Sequence, residues 1–246
     1  INASVASAFA QLQFSKNKLD YFAALNFKST NYQRDGLFKN GTYQNNSFGE
    51  SEKQSFADVS LKGGFTYKIT GRHLVNVNAA YISNAPTIRT AFSNSRVNDN
   101  ITPNLTSEKV STGDVNYIFR GLKIQARATA FYTNFTDAIE TSFFFAEGLL
   151  GDQADFVNEI ITGVAKKNIG AELSFEYQAV PTVKLIAVGS FGQFTYNNNP
   201  QLYLQSESFV DENSDFGTAY LKDYRVSGTP QEAYSLGFEY RDPNYW

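Results

Sequence analysis

Along this chain apolar residues recur at every second position over stretches of ten residues or more. From Ala57 to Ile69 one parity reads Ala57, Val59, Leu61, Gly63, Phe65, Tyr67 and Ile69, while the other carries Asp58, Ser60, Lys62, Gly64, Thr66 and Lys68. A period of two is the signature of a β-strand with one apolar face. The pattern returns at Ile169, Ala171, Leu173, Phe175 and Tyr177 against Glu172, Ser174, Glu176 and Gln178, and at Leu122 to Tyr132 against Lys123, Gln125, Arg127 and Thr129. Weaker versions run through Leu19–Phe27, Val75–Tyr81 and Tyr234–Tyr240. Strands of soluble sheets typically have about 5 to 6 residues, whereas about 10 are needed for a tilted strand to cross a bilayer.

The connections alternate between two kinds. Short ones fall at Lys16-Asn17-Lys18, Thr70-Gly71-Arg72-His73, Arg120-Gly121, Val180-Pro181-Thr182 and Asp242-Pro243-Asn244, each suited to a tight hairpin. Between them lie polar stretches from about Asn31 to Phe56, Ala85 to Thr106, Asn134 to Lys166 and Asn197 to Pro230, expected as loops. Compact soluble domains rarely carry several structureless loops longer than about 15 residues. Outer-membrane barrels place short turns on the periplasmic side and long loops outside. The fold class expected is therefore all-β, an antiparallel transmembrane β-barrel, with the long loops extracellular. A soluble exported β-sandwich fits the long strands poorly.

Aromatic placement agrees. Tyr67, Tyr117, Phe119, Tyr177, Tyr240, Tyr245 and Trp246 lie within a few residues of the short turns, and Phe27, Tyr81, Tyr132 and Phe191 are placed for the opposite interfacial girdle. About nine strands are counted, an odd number that does not close a bacterial single-chain barrel, so the chain reads as a segment of one outer-membrane barrel domain spanning 1–246, with terminal strands outside it.

Composition narrows the chemistry. The 246 residues include no Cys, no Met and one His, which excludes disulfide frameworks, thiolate metal sites and cysteine nucleophiles. A formal charge of −3 offers no basic stripe for nucleic acid, and no run approaches the roughly 20 apolar residues of a membrane helix. His73 falls in a turn and reads as a solvated histidine, without the orienting acid of a catalytic triad. The Asp211-Glu212-Asn213-Ser214-Asp215 run has oxygen ligands for a hard cation but not the spacing of a calcium loop, and reads as a solvated loop. Glu172 and Glu176 alternate with apolar residues and read as barrel wall. With no phosphate loop and no nucleophile elbow, the chain is not expected to be an enzyme, and no cofactor or metal is implied.

The stretch around Lys62 to Tyr81, within GGFTYKITGRHLVNVNAAYISNAP, followed by IRTAFSNSRVNDN (Ile88–Asn100) and Ser107-Glu108-Lys109, resembles the middle barrel region of Bacteroidetes-type TonB-dependent outer-membrane receptors; the closing GFEYRDPNYW (Gly237–Trp246) is similar to a hairpin turn of the same family. The resemblance implies a larger barrel with an N-terminal plug, neither plug nor TonB-contacting box lying in this stretch. It implies substrate capture by the loops and lumen for energised import, in contact with outer-membrane lipid and, through other segments, the TonB complex. A surface lipoprotein is a further candidate partner, and a barrel that serves only as a scaffold for a lipoprotein or secretion partner is the alternative.

The lumen face is expected to carry Lys62, Lys68, Lys123, Arg127, Glu172 and Glu176, whose mixed sign argues against a dedicated ion pore. Outer-loop ligand contacts are expected at Tyr32, Arg34, Asp35, Arg89, Arg96, Asp99 and Tyr203. The consecutive Phe143, Phe144 and Phe145, three rings in a polar stretch, join them as a surface for a ligand, a partner or a plug.

Overall fold

The computed structural model describes residues 1–148, 154–206, 209 and 213–242. In chain order the elements are β1 (Asn2–Lys16), β2 (Leu19–Gln33), β3 (Asp35–Gly36), β4 (Gly49–Glu50), β5 (Gln54–Lys68), β6 (His73–Asn84), α1 (Ile88–Ala91), β7 (Glu108–Arg120), β8 (Ile124–Glu147), β9 (Ala154–Val180), β10 (Val183–Tyr196), β11 (Gln201–Gln205), β12 (Ser214–Thr218) and β13 (Glu232–Tyr240). Nine of them form one antiparallel wall in the order β1-β2-β5-β6-β7-β8-β9-β10-β13. This is the up-and-down meander the alternation predicts. Among the described residues β1 and β13 do not pair with each other, so the sheet is an arc with two free edges.

Register aligns the faces from β1 to β10, and at β13 the two rows end on Ala233 and Glu232. One row reads Ser15, Asp20, Thr66, Asn76, Asn116, Thr129, Glu172 and Ser190, every member polar. The adjacent row reads Phe14, Tyr21, Phe65, Val77, Val115, Ala130, Ala171 and Phe191, every member apolar. A one-residue slip in any pair would mix the two rows, so the burial preferences of both faces fix the register together. The apolar face has no protein over it: Leu25, Leu61, Leu173 and Leu185 each expose roughly half of their surface. In a soluble sheet that would be an aggregating surface; in a barrel it meets lipid.

Many side chains of the polar face bond to one another. Asn78 donates to Asp114 (2.9 Å), Asn116 donates to Asn76 (3.2 Å), and Arg127 donates twice to Asn116 Oδ1 (3.0 and 2.6 Å). Lys68 pairs with Asp20 at 2.6 Å, and Lys184 lies between Glu239 (2.7 Å) and Glu176 (3.7 Å). Two phenylalanines on this face sit where a facing glycine makes room. Phe22 is registered opposite Gly64 and Phe131 opposite Gly170, and a Cβ added at Gly170 would lie 2.6 Å from the Phe131 ring and 2.5 Å from the Phe191 carbonyl. Rings laid over strand glycines are a known device for curved sheets.

At the turn side each connection also bonds onward. The carbonyls of Lys18, Arg72, Lys123 and Thr182 accept from the amides of Lys68, Arg120, Gln178 and Arg241 at 2.7 to 2.8 Å, continuing the ladder along the rim. Asn17 takes φ of 51°, the left-handed value that asparagine tolerates and a tight hairpin needs. Phe27, Tyr81, Tyr132 and Phe191, all exposed, each lie eight residues beyond the first residue of an upward strand. At about 3.4 Å per residue that is about 27 Å of strand, and a tilt of about 40° brings it near the height of the lipid band.

Two expectations need correction. Asn134–Lys166 is not a loop, nor is Asn197–Pro230 wholly one: β8 and β9 run on past the wall as a two-stranded extension, and within the second stretch β11 pairs with β9 while β12 pairs with β11. Irregularities at Phe135/Ala138 and Ala138/Glu140, with Asp137 at φ 60° and Gly163 at φ 70°, interrupt the ladder without ending it. His73 is not free in solvent either; it opens β6, its Nδ1 lies 2.6 Å from the Tyr117 hydroxyl, and its ring packs on Phe119. The turn at Pro243-Asn244, the rings of Tyr245 and Trp246, and Asp211 and Glu212 of the acidic run lie outside the described residues.

Candidate functional site

The buried apolar residues gather at the long-loop end, not in the wall. Tyr32 at the top of β2 meets Ala91 and Phe92 from the β6–β7 connection, with Phe56, Ile88, Ile101 and Leu105 around them, and Val157 and Ile160 of the extension are also buried. Hydrophobic burial here organises the connections into a layer over the wall.

Polar bonds stitch that layer across great sequence distance. Arg34, only 6% exposed, donates from Nε to the Ser95 carbonyl and from Nη1 to the Ser47 carbonyl, both at 2.9 Å. Asn46 donates to Asn100 (2.6 Å), Ser93 Oγ to Asn213 (2.6 Å), Asn104 to the Tyr203 hydroxyl (3.2 Å), and Asn158 to the Ser93 carbonyl. Tyr32 donates its hydroxyl to the Pro86 carbonyl at 3.3 Å. The buried Tyr32 and Arg34 thus serve the packing of the layer, and their expected place as exposed ligand contacts is corrected accordingly.

Between α1, the residues after it and the β8–β9 extension lies a cleft of about 510 Å³, a size typical of small-ligand sites. Arg89, Phe92, Ser93, Asn94, Ser95 and Arg96 form one side; Thr141, Ser142, Phe143 and Asn158 form the other. Three expected contacts, Arg89, Arg96 and Phe143, therefore converge. The remaining ones do not. Asp35 is exposed on the short β3–β4 pair, Asp99 donates its amide to the Asn46 carbonyl, and Tyr203 sits in β11. Phe143 stacks on Phe156 at 5.3 Å with the rings 2° from parallel, Phe145 meets the same ring edge-on, and Phe144 lies outside the cleft. Reading the sequence did not reach Ser93, Asn94, Ser95, Thr141, Ser142 and Asn158, because only the folding of two distant segments onto each other makes them neighbours.

Of the expected lumen residues, Lys62, Lys68, Arg127, Glu172 and Glu176 share the polar face, with Lys68, Arg127 and Glu176 engaged as described above. Lys123 belongs to the β7–β8 turn, one residue before β8 begins, and stands at the rim instead of on the wall. Among the described residues no cluster of three or more His, Asp or Glu side chains is placed to hold a metal ion.

Comparison with known proteins agrees with this architecture. No curated protein matches the sequence. The structure is similar to the solved structure of the "Copper transporter OprC", with a TM-score of 0.60 and 18% identity over 81% of this chain. The chain spans 31% of the length of that structure. The family model "TonB dependent receptor-like, beta-barrel" matches residues 1–246. An antiparallel wall with one apolar and one polar face accords with that match, and the chain belongs to the TonB-dependent receptor-like β-barrel family.

Proposed function

We propose that this chain is the receptor and conduit wall of an energised importer, which captures a substrate in the loop layer and passes it down the polar face. The single observation that carries the reading is the pre-built cleft at the long-loop end, standing over a wall whose other face carries most of its polar and charged side chains. The free edges of β1 and β13 call for further strands, since each unpaired backbone group in hydrocarbon costs several kcal/mol. A plug and the contact with TonB belong, on this reading, to segments beyond these residues, and the long loops face the exterior.

Copper is not carried over with the likeness to OprC. The stretch holds no Met or Cys, the soft ligands that favour Cu(I), and its one histidine is held against Tyr117 at the turn-side rim. The alternative, a scaffold that grips a surface lipoprotein, draws on the exposed rings of Phe143, Phe144 and Phe145 at the far end of the extension.

Uptake of a panel of labelled small molecules by cells expressing the native full-length protein separates the two. Import predicts accumulation of at least one compound that is lost when the proton-motive force is collapsed. Accumulation that survives collapse, or none from any compound while a lipoprotein co-purifies, overturns it.

A further inference from the structure

We propose that the cleft between α1 and the β8–β9 extension recognises an organic oxyanion carrying a flat ring, the anionic group held by Arg89 and Arg96 and the ring laid against Phe143. The inference names a substrate class for the receptor reading and rests on it only in treating what binds there as cargo.

The first argument is electrostatic. Arg34 is spent on carbonyls and Arg127 on Asn116, whereas Arg89 and Arg96 are exposed and make no ion pair or side-chain hydrogen bond among the described residues. Both line the same cleft, and no Asp or Glu lines it with them. Glu159, which accepts from the lining residue Ser142 at 2.6 Å, is not part of the lining. In a chain whose formal charge is −3, two unneutralised guanidinium groups around one concavity make a local positive field. Guanidinium donors are planar and match the oxygens of a carboxylate, sulfate or phosphate.

The second argument is shape. Phe143 is 64% exposed although stacked on Phe156, so a large apolar ring is held in place and still faces the cleft. Held aromatic surfaces favour flat partners, since little side-chain entropy is lost on binding. The floor is rigid: Phe92 is 1% exposed, and Ser93 is tied by its amide to the Asn100 carbonyl (2.9 Å) and by its hydroxyl to Asn213. The amides of Asn94 and Asn158 add neutral polar groups for the remainder of such a ligand.

The test uses the native full-length protein in lipid nanodiscs and isothermal titration with naphthalene-2-sulfonate, which has both features; methanesulfonate and inorganic phosphate, which lack the ring; and 2-naphthol, which lacks the charge. Naphthalene-2-sulfonate is expected to bind most tightly, and Arg89→Gln and Arg96→Gln each to weaken it about tenfold, the scale of one lost charge-assisted contact. Phe143→Ser should weaken naphthalene-2-sulfonate and leave methanesulfonate unchanged. Arg72→Gln, at a short turn, serves as the control for net charge.

Binding of 2-naphthol as tight as that of the sulfonate, indifference to both arginine substitutions, or an equal effect of Arg72→Gln overturns the proposal. Phosphate binding as tightly as the ring-bearing anion overturns the ring component. If the cleft binds as expected but no accumulation depends on the proton-motive force, the importer reading fails and the anion site stands. If energised uptake is found and both arginine variants leave binding and uptake intact, this inference fails alone.

Discussion

Leu173 and Glu172 are chain neighbours that face opposite solvents. Leu173 is 54% exposed on the apolar face, while Glu172 continues the polar row between Thr129 and Ser190. Leu173→Arg should therefore cost about 2 to 4 kcal/mol in the unfolding free energy of the lipid-reconstituted protein, and Glu172→Arg far less. Equal costs would mean that the faces are assigned wrongly. Gly170 makes a separate point, because its missing Cβ is what admits the Phe131 ring and the Phe191 carbonyl. Gly170→Val should lose about 1 to 3 kcal/mol by overpacking, as the carbonyl cannot rotate away; an unchanged urea midpoint would show that the strand relaxes there. These positions were readable in the sequence because a period of two needs only local information. Tyr32 and Arg34 were not, since their burial comes from partners at Pro86, Ser95 and Phe92, more than fifty residues away.

Most of the wall strands were legible as elements because lipid on one side and a polar lumen on the other impose alternation, which is weaker in β10, where Ile186 and Val188 share the face of Lys184 and Ser190. The extension of β8 and β9 was not. There the two irregularities shift the parity between one stretch and the next, and Asn, Asp and Gly at the shift points mimic loop composition. The cleft likewise had no linear signature, as its two sides lie some fifty residues apart in the chain. Arg34 is the bolt of the loop layer: it joins the β2–β5 and β6–β7 connections through two backbone carbonyls. Arg34→Met should leave the wall's melting temperature nearly unchanged and raise the rate of proteolysis within residues 34–53 and 85–107 by about tenfold or more, because bonds to a charged donor contribute roughly 1.5 to 3 kcal/mol and local opening governs cleavage. Protection equal to that of the parent protein would show that the apolar cluster alone holds the layer.

For the whole molecule the physical problem is an arc of antiparallel sheet with two free edges and one apolar face. Such an arc is stable only where hydrocarbon covers that face and further strands cover the edges. Orientation then decides function, because a cleft roofed by the long connections can meet a substrate first only if those connections point outward. These 246 residues hold no cysteine, so single cysteines placed among them in the native full-length protein, with any cysteine elsewhere in it replaced, report sidedness without background. The decisive measurement is labelling of intact cells with a membrane-impermeant maleimide at Ser95 and Asp35 on the long-loop side and at Gly71 and Gly121 on the turn side. Labelling of the first pair in intact cells, and of the second pair only after the outer membrane is permeabilised, is the predicted result; labelling of the turns in intact cells, with the loops protected, would contradict an outward-facing receptor.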